Sequence, residues 1–201
     1  MSTFYQCMKE SHFWLTSSDD YVYAAILAVT ELDVEKAMGE VETCYTMLND
    51  KGFHRGNNLQ TLSHILAVGE ESAFDKCNKA AWIFKGLKER GCTLNNYGLA
   101  CIGVLALVAT DVQKVTEEVA EAYDYIYEKE GYGFWSIDKT TRAMLAASMV
   151  ADFYIDGIQK GILQVTLGNS IHAILIAQQQ AAVAAACAAS AASASAASSG
   201  T

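Results

Sequence analysis

An all-α fold is predicted by three observations: proline is absent from the 201 residues, an apolar tetrapeptide returns at a fixed spacing, and helix-capping residues keep that same spacing. Proline breaks helix interiors and marks turns and edge strands, so a proline-free chain of this length favours helices joined by glycine and polar turns. The tetrapeptide runs Ile26-Leu27-Ala28-Val29, then Ile65-Leu66-Ala67-Val68, then Val104-Leu105-Ala106-Leu107, a period of 39, with a fourth echo at Met144-Leu145-Ala146. A fixed period of this size marks stacked supersecondary units. The predicted architecture is therefore a series of repeated antiparallel helical hairpins of about 39 residues, as an α-solenoid or a partial α/α toroid. The period lies between those of tetratricopeptide and HEAT repeats, the tetratricopeptide residue pattern is not visible, and periodicity alone does not choose between an open superhelix and a ring.

Taken in order, helices are expected near 5–13, 18–30, 33–51, 57–69, 72–90, 96–109, 111–130, 137–155 and 158–190. Asp33, Ser72 and Asp111 stand 39 apart, each just before an apolar run, and their side-chain oxygens suit the orphan N–H groups of a helix start. Behind them Val34, Ala37, Val41, Cys44 and Leu48, and again Val112, Val115, Val119, Ala122 and Ile126, recur close to 3.6 residues and give one buried stripe each. Gly52, Gly91 and Gly131 are expected to end these helices in the left-handed conformation, with Phe53, Cys92 and Tyr132 packing back on the helix ends. Asn57, Asn58, Asn95 and Asn96 read as caps and turns before the alternate helices.

Residues 1–160 form the expected repeat domain, and 161–201 an uncharged capping helix running into a low-complexity Ala/Ser tail. No charged side chain occurs after Lys160. Ile162, Val165, Ile171, Ile174 and Leu175 would cover the last hairpin, and the small residues beyond suit pairing with another helix or with a second copy of the chain. Residues 161–177 make a poor membrane span, because Gln164, Asn169, Ser170 and His172 lie inside it. A formal charge of −9, from 14 Lys+Arg against 23 Asp+Glu, argues against nucleic acid as a partner. The six cysteines contain no C-x-x-C pair, and Lys9 and Glu10 interrupt the first apolar stretch, so no secretory signal is read. They are expected to be reduced, mostly buried thiols of a cytoplasmic protein.

The string Leu15-Thr16-Ser17-Ser18-Asp19-Asp20-Tyr21, the later Gly56-Asn57-Asn58-Leu59-Gln60-Thr61-Leu62-Ser63-His64-Ile65-Leu66, and the Gln-rich then Ala/Ser-rich end resemble an uncharacterised bacterial family, domain of unknown function 4003. The likeness covers nearly the whole chain and carries no activity with it. It implies members longer at the N-terminus, which would make this chain a short member or a C-terminal portion.

Aligning the units exposes polar residues where sister repeats are apolar, which says more than a polar residue alone. Gln60, Ser63 and His64 share one helix face at i, i+3 and i+4. Their equivalents are Tyr21, Ala24 and Ala25 in one neighbour and Leu99, Ile102 and Gly103 in the other; the fourth unit offers Lys139 and Arg142. If these helices line an inner wall, Gln60, Ser63, His64, Lys139 and Arg142 make a polar strip, with Asp19 and Asp20 at the adjacent helix start. Such a strip suits a small polar or anionic ligand, with His64 able to move protons near neutral pH. Against that stand ordinary roles: a satisfied buried histidine, an exposed first-turn Lys/Arg pair, and aspartates that cap a helix. Metal binding by Asp19, Asp20 and His64 is the weaker variant. No H-E-x-x-H, G-x-S-x-G, P-loop or G-x-G-x-x-G motif occurs, and neither a resident metal nor a cofactor is expected.

Tyr123, Tyr125 and Tyr127, near Tyr132, Phe134 and Trp135, offer either a peptide groove or core packing. The runs Lys85, Lys88, Glu89, Arg90 and Glu117, Glu118, Glu121 read as solvated faces. The favoured function is a helical-repeat scaffold that binds a protein, a peptide or copies of itself; the alternative is an enzyme or small-ligand-binding protein centred on His64.

Overall fold

The computed structural model describes residues 34–94, 98–129 and 138–159, and all regular structure among them is helical. The helices are α1 (Val34–Asp50), α2 (Asn57–Ala67), α3 (Ala73–Glu89), α4 (Leu99–Val108), α5 (Val112–Tyr127) and α6 (Lys139–Gln159). The spans expected near 5–13, 18–30 and 158–190, and the Ala/Ser tail, lie wholly or almost wholly outside the described residues. Where a break is expected after residue 155, α6 instead continues to Gln159. Gly157 weakens a helix interior by about 1 kcal/mol relative to alanine, which does not suffice to end it.

Local chemistry sets the helix ends. Ser72 Oγ accepts the Asp75 N–H at 3.1 Å and Asp111 Oδ1 accepts the Lys114 N–H at 3.0 Å, which satisfies donors that a helix start leaves orphaned. Gly52 and Gly91 adopt φ of 94° and 78°. At those turns the Phe53 N–H returns to the Leu48 carbonyl at 3.1 Å and the Cys92 N–H to the Leu87 carbonyl at 2.9 Å, and both following side chains are buried. Asp33 and Gly131 lie outside the described residues. The start of α2 differs from expectation, because Asn57 and Asn58 are its first two residues and the N-cap is Gly56, with no side-chain cap. The Gly56 N–H donates instead to Tyr45 Oη at 3.2 Å, which fastens the start of α2 to α1.

The helices pack in two rows. α2 lies against α4 and α4 against α6; α1 lies against α3 and α3 against α5. Between the rows α1 packs on α2, α3 on α4 and α5 on α6. In α4 nine residues are buried, Leu99 to Ala106 together with Val108, as a helix enclosed by neighbours requires. Gly103 permits that enclosure, since a Cβ there would lie 2.9 Å from Ile65 Cγ2 and 3.0 Å from Leu62 Cδ1 on α2. In the other row Gly86 brings α3 onto α5, where a Cβ would meet Thr116 Cγ2 at 2.9 Å.

One charge is sealed in the middle of this packing. Lys76 of α3 is 1% exposed; its Nζ lies 2.8 Å from Glu40 Oε1 of α1 and donates to the Gly69 carbonyl at 2.8 Å. Among the described residues no helix is long and apolar enough to cross a membrane.

Candidate functional site

Of the polar strip read from the repeat, Gln60, Ser63, His64 and Arg142 are buried. Gln60, Ser63 and His64 are all buried on one face of α2. Ser63 Oγ donates to the Leu59 carbonyl at 2.8 Å, a bond made within its own helix. Gln60 is 1% exposed, and neither its Oε1 nor its Nε2 has a hydrogen-bond partner.

Arg142, near the start of α6, is drawn to α5. Its Nη2 donates to Tyr123 Oη at 2.5 Å, and its guanidinium lies 3.9 Å from the Tyr123 ring centroid and 4.4 Å from that of Tyr127. Lys139, one turn earlier, points into solvent, while Asp19 and Asp20 lie outside the described residues. Just before α6, Asp138 Oδ1 accepts the N–H groups of Thr140 at 2.9 Å and Thr141 at 3.1 Å, and the Thr141 hydroxyl donates to Oδ2. The hydroxyl bond, helped by these N–H groups, holds the Asp138 carboxyl below its ordinary pKa.

No group of three or more His, Cys, Asp or Glu side chains is arranged to hold a metal ion among the described residues. Burial pushes the Cys92 and Cys101 thiols up to about 11. Cys44 and Cys77 meet across α1 and α3; their shared hydrogen bond pushes Cys44 up, with burial adding to the rise, and draws Cys77 down against the opposing effect of burial. All four are sealed from solvent, unlike a nucleophilic cysteine, which needs access as well as a low pKa.

Among the described residues, concave surface is found on the outward side of α3. One cleft of about 540 Å³ is lined by Lys51, Asn78, Trp82, Lys85 and Arg90 together with Gln113 and Thr116 of α5. A second, of about 800 Å³, runs over the start of α5 past Asp75, Lys79 and Asp111. Asn78, Trp82 and Gln113 line both. Trp82 is 70% exposed and Phe74, two turns before it on α3, is 62% exposed. Lys51, at the end of α1, donates to Asn78 Oδ1 at 2.6 Å, and its Nζ lies 5.9 Å from the Phe74 ring centroid.

This surface is absent from the repeat comparison, which looks for polar residues among apolar sisters. The signal that finds it is the reverse one. The buried face of α3 holds Lys76, Cys77, Ala80, Ile83 and Leu87, and Phe74 and Trp82 are large apolar residues off that stripe. Of the aromatic cluster read from the sequence, Tyr123 is core, Tyr125 and Tyr127 are exposed, and Tyr132, Phe134 and Trp135 lie outside the described residues.

Comparison with known proteins agrees with the sequence resemblance. Residues 1–180 match the family described as "Protein of unknown function (DUF4003)", and the chain belongs to that family. It is 28% identical over 184 residues to the uncharacterized protein YeaA of Bacillus subtilis (strain 168), an overlap of 89% of this chain and 52% of YeaA. The chain thus spans about half the length of that relative. No solved structure matches.

Proposed function

We propose that this DUF4003 member is a helical-repeat binding protein whose outward α3–α5 face receives a protein or peptide partner. The observation that carries the reading is Trp82, an indole held in solvent between two clefts on a rigid helix. Tryptophan in such a position supplies large contact area at little loss of side-chain entropy and is over-represented among residues that dominate binding energy. The architecture behind this reading is the 39-residue helical hairpin repeat, as an α-solenoid or partial toroid in the cytoplasm. Its supports are the period itself and the side-by-side packing of α2, α4, α6 and of α1, α3, α5.

The test compares tagged full-length chain with its Trp82→Ala variant as bait in cell extract, followed by reconstitution of each captured pair from purified components. A partner retained by the parent and lost by the variant is the expected result; an identical partner set sinks the reading. Self-association through the Ala/Ser tail is a separate element of the same proposal. Light scattering of the full chain against one ending at Lys160 decides it, equal protomer numbers being the adverse outcome.

Gln60 favours a second reading, a small-ligand-binding protein or enzyme with its polar site around His64. A buried amide with neither end bonded loses about 1–3 kcal/mol of desolvation energy per unmet group, and a polar ligand flanked by Ser63 and His64 would restore it. In a melting screen of small polar molecules, a compound that raises the transition of the parent and not of Gln60→Leu supports this reading. Equal responses of the two proteins to every compound refute it.

A further inference from the structure

The charges around Trp82 specify the chemistry of the partner, an inference that rests on the proposed binding role of this face. The chain as a whole carries a formal charge of −9, yet the lining of the smaller cleft has three cations, Lys51, Lys85 and Arg90, against one carboxylate, Glu89. A local reversal of sign on a strongly acidic protein attracts a partner of the protein's own overall sign to one place and repels it elsewhere.

None of the three cations is held by a close carboxylate. Lys85 lies 3.8 Å from Glu89, Arg90 Nη2 lies 3.5 Å from Glu117, and Lys51 is bonded to a neutral amide. Exposed ion pairs of this length contribute little, so an incoming carboxylate displaces them cheaply and gains charge-assisted bonds. Beside the cations stand the open indole of Trp82 and the amides of Asn78 and Gln113; Asn78 Oδ1 is bonded to Lys51 and Gln113 Nε2 to Glu117, which leaves Asn78 Nδ2 as donor and Gln113 Oε1 as acceptor for a peptide backbone. Gly86 lets Thr116 of α5 pack directly on α3 at this point.

We infer that this cleft binds an acidic peptide segment of another protein, one that sets carboxylates on Lys51, Lys85 and Arg90 and an apolar side chain on Trp82. The chain's own residues 161–201 do not meet this description, because they contain no charged side chain. On the other side of Trp82 the neighbouring cleft carries three carboxylates, Glu71, Asp75 and Asp111, and one lysine, which confines the acidic segment to the smaller cleft.

The test is a titration of ¹⁵N-labelled full-length protein, following the Trp82 indole N–H, with three short synthetic peptides blocked at both ends. Each carries one phenylalanine, flanked by glutamates, by lysines or by glutamines. The expected result is that the glutamate peptide shifts the Trp82 signal and binds about tenfold or more tightly than the others. Its affinity should fall steeply as salt rises. Lys85→Glu/Arg90→Glu, two exposed positions, should remove that preference while leaving the melting transition in place, and Trp82→Ala should weaken the glutamate peptide about tenfold or more. Equal binding of all three peptides, or a preference for lysine, overturns the charge assignment and leaves Trp82 as a docking residue. Absence of any shift with the glutamate peptide also overturns it, whereas the binding role of the face stands or falls separately on the Trp82→Ala capture.

Discussion

At the scale of single residues, the most informative groups are polar ones in places that should be apolar. Gln60 sits among buried side chains with both amide ends unpartnered. Gln60→Leu removes the unsatisfied groups at nearly constant size and is expected to raise stability by about 1–2 kcal/mol in urea unfolding. A loss of stability would mean that the amide has a bonding role. Lys76 gives the opposite case: its ammonium is matched by Glu40 and the Gly69 carbonyl, and its stem fills core space. Lys76→Ala leaves a void and an uncompensated carboxylate, so a cost of about 2–4 kcal/mol is expected by the same measurement. A change under 1 kcal/mol would show that Glu40, at the edge of solvent, rehydrates fully.

Asp138 adds a pH dependence. Its folded-state pKa is lowered by the Thr141 hydroxyl and the first-turn N–H groups, so its stabilising effect is complete above the unfolded carboxylate value of about 3.9. That effect is lost as pH falls through the lower folded value. Asp138→Ala should therefore cost about 1 kcal/mol at pH 7, as N-cap losses do, and the gap between the two proteins should narrow in acid. Melting curves at both pH values check this, and a gap that stays constant contradicts it. The partner of Lys76 and the enclosure of Gln60 are not written in the local sequence, for related reasons. A lysine on the buried stripe looks like a breach of periodicity until Glu40, 36 positions away, is known to face it. The Gln60 face reads as an open wall because nothing in a period reports which rows are enclosed.

At the scale of elements, the features legible in the sequence were those whose causes are local. A helix stop at glycine followed by an apolar residue is written within six positions, and Gly52-Phe53 and Gly91-Cys92 fold as that signal dictates. The Ser72 and Asp111 caps are equally local. Ser72→Ala should cost about 1 kcal/mol, detectable as a lowered urea midpoint with unchanged slope. The start of α2 was less legible, because Gly56 is placed by Tyr45 of the preceding helix and its cap lacks a side chain. Outward faces follow the same division: charged runs on α3 read correctly as solvated, whereas the Trp82 clefts depend on how closely Gly86 lets α5 approach, a distance that no single-helix pattern contains.

For the molecule as a whole, the pattern of neighbours makes a claim about cooperativity. The α1–α2 pair is tied to the rest chiefly through α3 and α4, and α5–α6 through the same two helices, so damage at one boundary should stay on one side. Gly103 stands on the α2–α4 boundary, where an added Cβ would press on Ile65 Cβ at 3.1 Å as well as on Ile65 Cγ2 and Leu62 Cδ1. Backbone-proximal atoms of a β-branched neighbour cannot rotate away, so Gly103→Val should cost about 1–3 kcal/mol of overpacking, only partly offset by better helix propensity. If coupling passes from neighbour to neighbour, hydrogen exchange should quicken in α1 and α2 and remain slow in α5 and α6. A single all-or-none unit would instead lose protection by the same factor in all four helices. Uniform loss would therefore reject neighbour-by-neighbour coupling, and with it the stacked-repeat reading of how this chain holds Trp82 and its clefts in place.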